Sequence, residues 1–477
     1  MFIGRKQELK LLESHYHSKI SEFCILYGRR RIGKSTLLEE FTKNKFSFFY
    51  LAGKENKRPQ LKRFVRELGQ QISDPFIEKM NVTQWNDALL LLDKNIDSLA
   101  QNNKPSKAVV IFDEFQWMCN GAIELLSDLQ RFWDKGWKNS GQVFLIICGS
   151  SISFMLGEVL SQKSPLFGRR TLSFELKSFD IAESALFLPE KNTFEIAETY
   201  MTIGGVPKYL EIINATGDSF RKRMSQEAFS SSGYFYDEIH FILSEQLKET
   251  ENYFLLLEHM ASGASEIKEL VKLTHIPSGQ IIYYLERLIF LGFVSRYIPI
   301  NAPKKSKKVK YLLEDYYLKF YFNFIHQNLQ RISMNNDMYL FDQFTKNRWD
   351  VYLGTLFEQF VRDHATIIAK KFGYTNEIQK IGSYWQHPTK RKKGVQIDLV
   401  IEFIDNTTFI CECKWKGKRK TGMEAVSELR QKAKRYPNKN NHTLKCVLIA
   451  SGGVTQPVLK QKDIHIITLD DFIEKTC

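Results

Sequence analysis

The chain holds little of what secreted, zinc-stapled or membrane-spanning proteins require. Among 477 residues there are only seven cysteines, Cys24, Cys119, Cys148, Cys411, Cys413, Cys446 and Cys477. Several lie inside apolar, strand-like runs and read as small core residues. Cys411-Glu412-Cys413 has no second Cys or His pair at zinc spacing, so no structural zinc is predicted. No apolar stretch approaches the ~20 residues of a membrane span. Arg5 and Lys6 lack the apolar run that follows them in a secretory signal. These absences predict a reduced, cytoplasmic setting with no membrane partner.

What is abundant is positive charge. Apolar content of 43% and charged content of 26% are those of a soluble globular chain, but the net charge is +14. From Thr345 onward there are 24 Lys and Arg against 14 Asp and Glu, so this last part carries most of the excess. A localised basic surface favours a polyanionic partner, nucleic acid first.

The stretch Phe23 to Glu40 organises the chain. Phe23-Cys24-Ile25-Leu26-Tyr27 is short enough for a buried strand. Gly28-Arg29-Arg30-Arg31-Ile32-Gly33-Lys34-Ser35 fits G-x-x-x-x-G-K-[ST], and Thr36-Leu37-Leu38 begins a helical pattern. Strand, loop and helix are the context a phosphate-binding loop needs. Glycines let backbone N–H groups surround phosphates, and the helix N-terminus adds partial positive charge. Lys34 is expected to reach the β- and γ-phosphates of ATP, and Ser35 to bind Mg²⁺. Upstream, Gly4 and Arg5 either hold adenine and ribose or merely cap the N-terminus.

Further on, Ala108 to Phe112 is a buried parallel strand ending in Asp113 and Glu114. Paired with the phosphate loop, Asp113 is expected to hold the Mg²⁺ hydration shell and Glu114 to polarise the attacking water. Gln142 to Cys148 is the next strand. After it, Ser150 either senses the γ-phosphate or serves a turn, with Ser as helix N-cap. Arg169 and Arg170 are candidate arginine fingers or a solvated surface pair.

Residues from about Phe179 to Gln246 read as helices. Three more helices and a basic hairpin with its tip at Pro303 to Lys310 form a winged helix-turn-helix pattern. The outward face of its third helix, Gln280, Tyr283, Tyr284 and Arg287, offers one Arg, which favours packing or protein contact over base reading. The aromatic run Asp315 to Phe324 reads as core.

The last part carries separate chemistry. Leu356 to Val361 is an amphipathic helix bearing Glu358. Gly394 to Ile401 is a strand bearing Asp398, and Thr407 to Trp415 is a strand bearing Glu412 and Lys414, which share one face. Asp398 and Glu412 are expected to hold Mg²⁺ or Mn²⁺, with Glu358 as a third carboxylate and Lys414 near the attacking water. Two cysteines flanking Glu412 face the other way, into the core. Basic contacts to DNA are expected from Lys390 to Lys393, Lys416 to Lys420, and Lys432 with Arg435.

FIGRKQELKLL, YGRRRIGKSTLL, VVIFDEFQWM, the GSS after the third strand, LFGRRT and GGVPKYL together resemble archaeal-type P-loop ATPases of the STAND class, relatives of AAA proteins. The resemblance runs to about residue 325. The last ~130 residues resemble PD-(D/E)xK nucleases at Glu358, Asp398, Glu412 and Lys414, with Ile397 where a proline often precedes the aspartate. The resemblance implies an α/β fold: a P-loop NTPase parallel sheet at 1–178, a helical lid at 179–250 and a winged helix-turn-helix at 251–326. A linker at 327–346 and an α/β restriction-endonuclease-like domain at 347–477 complete it. It also implies a nucleotide-driven switch but does not say what triggers it; an unidentified protein trigger and a homo-oligomer are left open as partners. Three functions follow: an ATP-controlled DNA nuclease, an ATPase regulator that binds DNA or protein without cutting, and a motor. The last lacks further helicase motifs.

Overall fold

The computed structural model describes residues 2–100, 107–247, 249–303, 305–306, 308–334, 340–374, 377–388 and 394–473. The chain forms two compact units, Met1–Ser178 and Phe179–Cys477.

The first unit is built on five parallel strands: β1 (Glu22–Tyr27), β2 (Ser47–Leu51), β3 (Ala108–Asp113), β4 (Val143–Gly149) and β5 (Leu172–Glu175). Their order is β2-β3-β4-β1-β5. β3 and β4 are buried along their whole length, which is why they are continuous apolar runs and not alternating ones. Strand periodicity divides the core in two. Phe23, Ile25, Val110 and Phe112 pack on one face around Phe64 and Trp85. Cys24, Leu26, Ile111 and Cys148 face the other way, toward Leu12, Leu37, Leu38 and Phe41. Because β4 lies between β1 and β3, the C-terminal ends of these three strands sit side by side. That edge is where open parallel sheets place their ligands.

The second unit begins with five helices between Ile181 and Gln246. Helices Glu251–Ala261, Ile267–Thr274 and Ser278–Phe290 follow, then an antiparallel hairpin of β6 (Val294–Tyr297) and β7 (Lys310–Leu313). Ser265 does not cap the second of these helices. Glu266 is the N-cap, and the Glu269 carboxylate accepts from the Ser265 backbone N–H. Lys304 and Lys307 of the hairpin tip lie outside the described residues.

A second five-stranded sheet completes this unit: β8 (Ile378–Gln386), β9 (Val395–Phe403), β10 (Thr407–Lys414), β11 (Thr443–Ala450) and β12 (Ile464–Thr468). The order is β12-β11-β10-β9-β8. β8, β9 and β10 form an antiparallel meander, and β10, β11 and β12 run parallel. Helix Trp349–Asp363 precedes the meander, and helix Met423–Arg435 crosses from β10 to β11.

The expected linker at 327–346 is corrected. Helices Leu329–Met334 and Leu340–Thr345 occupy much of it, and Ile332, Leu340, Phe341 and Phe344 are buried. Phe341 packs edge-on against Phe220 and Trp349, and Phe229 packs against both Phe341 and Phe344. The divisions at 250, 326 and 346 are not breaks in packing either. Tyr316 donates to Asp363 at 2.8 Å, and Gln359 donates to the Glu314 carbonyl at 2.6 Å. Aromatic contacts from Tyr316–Ile325 tie the lid at Tyr200 and Tyr209, helix Glu251–Ala261 at Phe254, and helix Trp349–Asp363 at Trp349 and Tyr352 into one unit.

Candidate functional sites

The first site lies at the ligand edge of the parallel sheet. Gly28 closes β1 at a point where a Cβ would stand 2.4 Å from the Leu176 carbonyl oxygen, so only glycine fits. Gly33 caps helix Lys34–Thr42 with φ 83°, and Arg31 also has positive φ, 68°. These left-handed residues curl the loop until Lys34 Nζ donates to the carbonyls of Gly28 and Arg29, both at 2.9 Å. Arg30 and Thr36 are exposed, while Ile32 is buried under the loop. Arg5 is nearly fully buried, and its guanidinium donates to the carbonyls of Ile32 at 2.9 Å and Lys177 at 2.6 Å. Its observed work is therefore to strap the N-terminus to the loop; Gly4 precedes it with φ 71°.

At the end of β3 the Ser35 hydroxyl donates to Asp113 Oδ2 at 2.5 Å, and Asp113 Oδ1 accepts from the Glu114 N–H at 2.8 Å. Asp113 and Ser150 are completely buried. Glu114 adopts φ 52° and opens helix Phe115–Met118. Its Oε2 accepts from Ser150 Oγ at 2.7 Å and from Gln116 Nε2. Cys148, beneath Asp113, has its thiol pushed far up by burial and by that carboxylate.

The arginine pair divides. Arg169 makes a two-pronged contact with Asp134, with Nε to Oδ1 at 2.9 Å and Nη2 to Oδ2 at 2.7 Å, and its Nη1 donates to the Pro165 and Phe167 carbonyls. The Arg169 donors are thus engaged by Asp134 and by two carbonyls of its own turn. Arg170 is exposed, and its charge is felt by Tyr27 at the end of β1.

The second site is in the other unit. The register Cys411↔Leu399 between β10 and β9 brings Glu412 beside Asp398. Asp398 is 7% exposed, and its Oδ2 accepts from the Cys413 N–H at 2.9 Å. Burial, then the charges of Glu412 and Glu358, push its pKa up to about 7. Burial also raises Glu358 on helix Trp349–Asp363, against the opposing charge of Arg362. Lys414 bonds Glu412 Oε1 at 2.8 Å and Glu428 Oε2 at 2.7 Å. Burial alone would lower the Lys414 pKa, but these two bonds outweigh it and hold the ammonium above the ordinary lysine range. Lys432 reaches Glu412 Oε2 at 2.5 Å.

All four sequence-predicted residues of this second site thus meet in one electrostatic cluster. Glu358 adds its charge to this cluster; among the described residues, no three or more His, Cys, Asp or Glu side chains form a group that could hold a metal. Lys432 is corrected from a DNA contact to a partner of Glu412. Lys416, Lys418, Arg419 and Lys420 follow β10 in a loop pinned by Ser451, whose Oγ accepts from the Lys416 N–H at 3.0 Å and donates to the Gly417 carbonyl at 2.9 Å, whereas Lys390, Arg391, Lys392 and Lys393 lie outside the described residues. Sequence reasoning missed Gln116, Glu428 and Arg362. The i, i+4 spacings Glu428–Lys432, on the helix after E-x-K, and Glu358–Arg362 are signals that point to Glu428 and Arg362; Gln116 has none. Cys411 and Cys413 are buried, with thiols held far above the ordinary range by burial. Just beyond Lys414, the Trp415 ring lies between Phe194 and Phe357, 5.0 and 5.4 Å away by centroid.

The first site, on its five-stranded parallel sheet, defines a P-loop ATPase domain. Residues 2–213 match the family described as an ATPase domain predominantly from Archaea, and residues 321–426 match one described as archaeal and bacterial proteins of unknown function. The chain is 30% identical over 418 residues to the uncharacterized protein MJECL04 of Methanocaldococcus jannaschii, covering 87% of this chain and 88% of that one. It belongs to the same family as that protein. A shorter match, 47% identical over 45 residues, covers 9% of this chain and 76% of the uncharacterized ATP-binding protein MJ0423 of the same organism. Among solved structures, the Walker-type ATPase PABY2304 of Pyrococcus abyssi shares the fold, with TM-score 0.50 and 20% identity over 67% of this chain and 96% of that one. Among the described residues no helix is long and apolar enough to cross a membrane.

Proposed function

We propose that ATP binding and hydrolysis in the P-loop domain switch a metal-dependent, nuclease-like site in the C-terminal domain that acts on DNA. At the nucleotide site Lys34 grips the terminal phosphates, Glu114 polarises water, and Ser150 reports the γ-phosphate. Ser35 Oγ and Asp113 Oδ2 converge as hard oxygen donors beside the loop, a set that suits Mg²⁺. The ion would offset phosphate charge there.

The observation that carries the nuclease reading is the juxtaposition of Asp398, Glu412 and Lys414 beside Glu358 on a helix–meander–helix scaffold. Two buried carboxylates suit Mg²⁺ or Mn²⁺ with water completing the shell. Such an ion would polarise a phosphodiester. Lys414 holds Glu412 in place and presents positive charge where water would attack. The three-helix and hairpin segment, read as a winged helix, exposes Tyr283 and Ile282 and so suits a protein trigger. Homo-oligomerisation belongs to the same switch reading.

A specific observation favours a second reading, a regulator that binds without cutting: both oxygens of Glu412 are already bonded to lysines. One experiment decides. Purified chain is incubated with plasmid, Mg²⁺ or Mn²⁺, and ATP or a slow analogue. Cutting that needs Asp398 and Glu412, and that responds to Lys34→Ala, supports the switch. No cutting by the wild type under any of these conditions promotes the non-cleaving regulator.

A further inference from the structure

Gln116 bonds to both Glu114 and Ser150, the two groups assigned to water and γ-phosphate. It lies two residues beyond Glu114, in the short helix Phe115–Met118, and is 8% exposed. Its side chain turns back because Glu114, at φ 52°, reverses the chain direction at the helix start. Nε2 donates both to Glu114 Oε2 and to Ser150 Oγ, the latter at 3.1 Å, while Ser150 Oγ itself donates to the same Glu114 oxygen at 2.7 Å. The three side chains form a closed triangle.

The triangle fixes the amide's orientation. Turned over, its carbonyl would confront the Glu114 carboxylate, and two acceptors repel. In the observed orientation Oε1 is buried without a hydrogen-bond partner. It lies against Gly149, where a Cβ would come within 2.8 Å of it. A buried amide with an unsatisfied acceptor calls for a reason, and its two donated bonds supply one.

We propose that Gln116 is a positioning residue of the ATPase site, coupling Ser150 to Glu114 through its side-chain amide. A γ-phosphate that draws the Ser150 proton toward itself removes one of the two bonds on Glu114 Oε2. Gln116 then holds that oxygen alone and leaves Oε1 to orient the attacking water. Without Gln116, Glu114 is free to rotate, and its carboxylate is no longer aimed when nucleotide arrives. This inference rests on the role given to Glu114 above.

The test uses Gln116→Met, which keeps side-chain length and apolar packing but removes the donor, and Gln116→Glu, which keeps shape and reverses the polarity. Steady-state turnover, analogue affinity and melting temperature are measured for both, beside Glu114→Gln and Ser150→Ala. The expected result is a loss of about tenfold or more in kcat for both Gln116 variants, with analogue affinity and melting temperature close to wild type for Gln116→Met; Gln116→Glu, which sets a second carboxylate against Glu114, should also melt lower. The Gln116→Met and Ser150→Ala effects should combine non-additively, because both act through Glu114. Wild-type kcat in Gln116→Met while Glu114→Gln is inactive overturns the coupling role alone. Wild-type kcat in Glu114→Gln instead overturns the role of Glu114, and the inference with it. A drop in kcat of Gln116→Met accompanied by comparable losses of affinity and melting temperature assigns Gln116 to packing and overturns the proposal.

Discussion

The Lys432 ammonium lies 2.5 Å from Oε2 of Glu412, a carboxylate that is 1% exposed. Neither partner is near the other in sequence; helix Met423–Arg435 delivers the lysine over β10. A cation thus rests on one of the two oxygens a divalent ion would use, and the two must compete. Lys432→Met should bind Mn²⁺ more tightly than wild type in a spin-resonance titration. Its metal-free form should lose stability, at most about 3 kcal/mol because Lys414 still pairs Glu412. Unchanged Mn²⁺ affinity would show that Lys432 leaves the cation's place free.

Proton competition gives a second expectation. Asp398, raised to about 7 chiefly by burial, is a neutral acid below that pH and cannot serve as a charged ligand. Divalent binding should therefore strengthen as pH rises through about 7 and level off above it. Calorimetric titration of Mn²⁺ at several pH values measures this. Asp398→Asn should bind weakly at every pH and lose the dependence.

The arginine pair should behave unequally. Arg169 is committed to Asp134 in a partly exposed bridge, so Arg169→Ala should cost about 1 kcal/mol or less and leave kcat near wild type. If Arg170 acts between copies of the chain, mixing Arg170→Ala with Lys34→Ala should recover turnover that neither has alone. Absence of recovery would remove the finger role between subunits.

DNA affinity should rest on the loop after β10. Replacing Lys416, Lys418, Arg419 or Lys420 singly should lower the log–log salt slope by about 0.9 for each phosphate that is no longer neutralised. Lys432→Met should leave the slope unchanged, because its charge is spent on Glu412. Fluorescence anisotropy with a labelled duplex over a salt series reads both outcomes.

Local patterns carry much of this in the sequence. Gly28 to Ser35 and the Asp113-Glu114 pair are each set within a few residues, and the apolar strands ahead of them leave little freedom of placement. Asp398 and Glu412 can be paired because strand alternation is strict. Gln116 is hidden, since its reach toward Ser150 depends on the φ of Glu114 and on a register 34 residues away. Lys432 escapes a sequence reading because a lysine on a helix face is solvated by default, and only the crossing over β10 reverses that. The segment 327–346 has short apolar clusters without sustained periodicity. Its helices are fixed by tertiary partners such as Phe220, Phe229 and Trp349, not by local preference.

The ring of Trp415, held between Phe194 and Phe357, bears on how such a chain can be inherited. Phe194 belongs to the stretch shared with archaeal ATPase domains, and Trp415 follows the lysine of the other chemistry. A recombination joint placed between them would leave aromatic surface bare on both halves. Exchanging the C-terminal part for another would therefore require a ring-accepting surface at Phe194 as well as at Phe357.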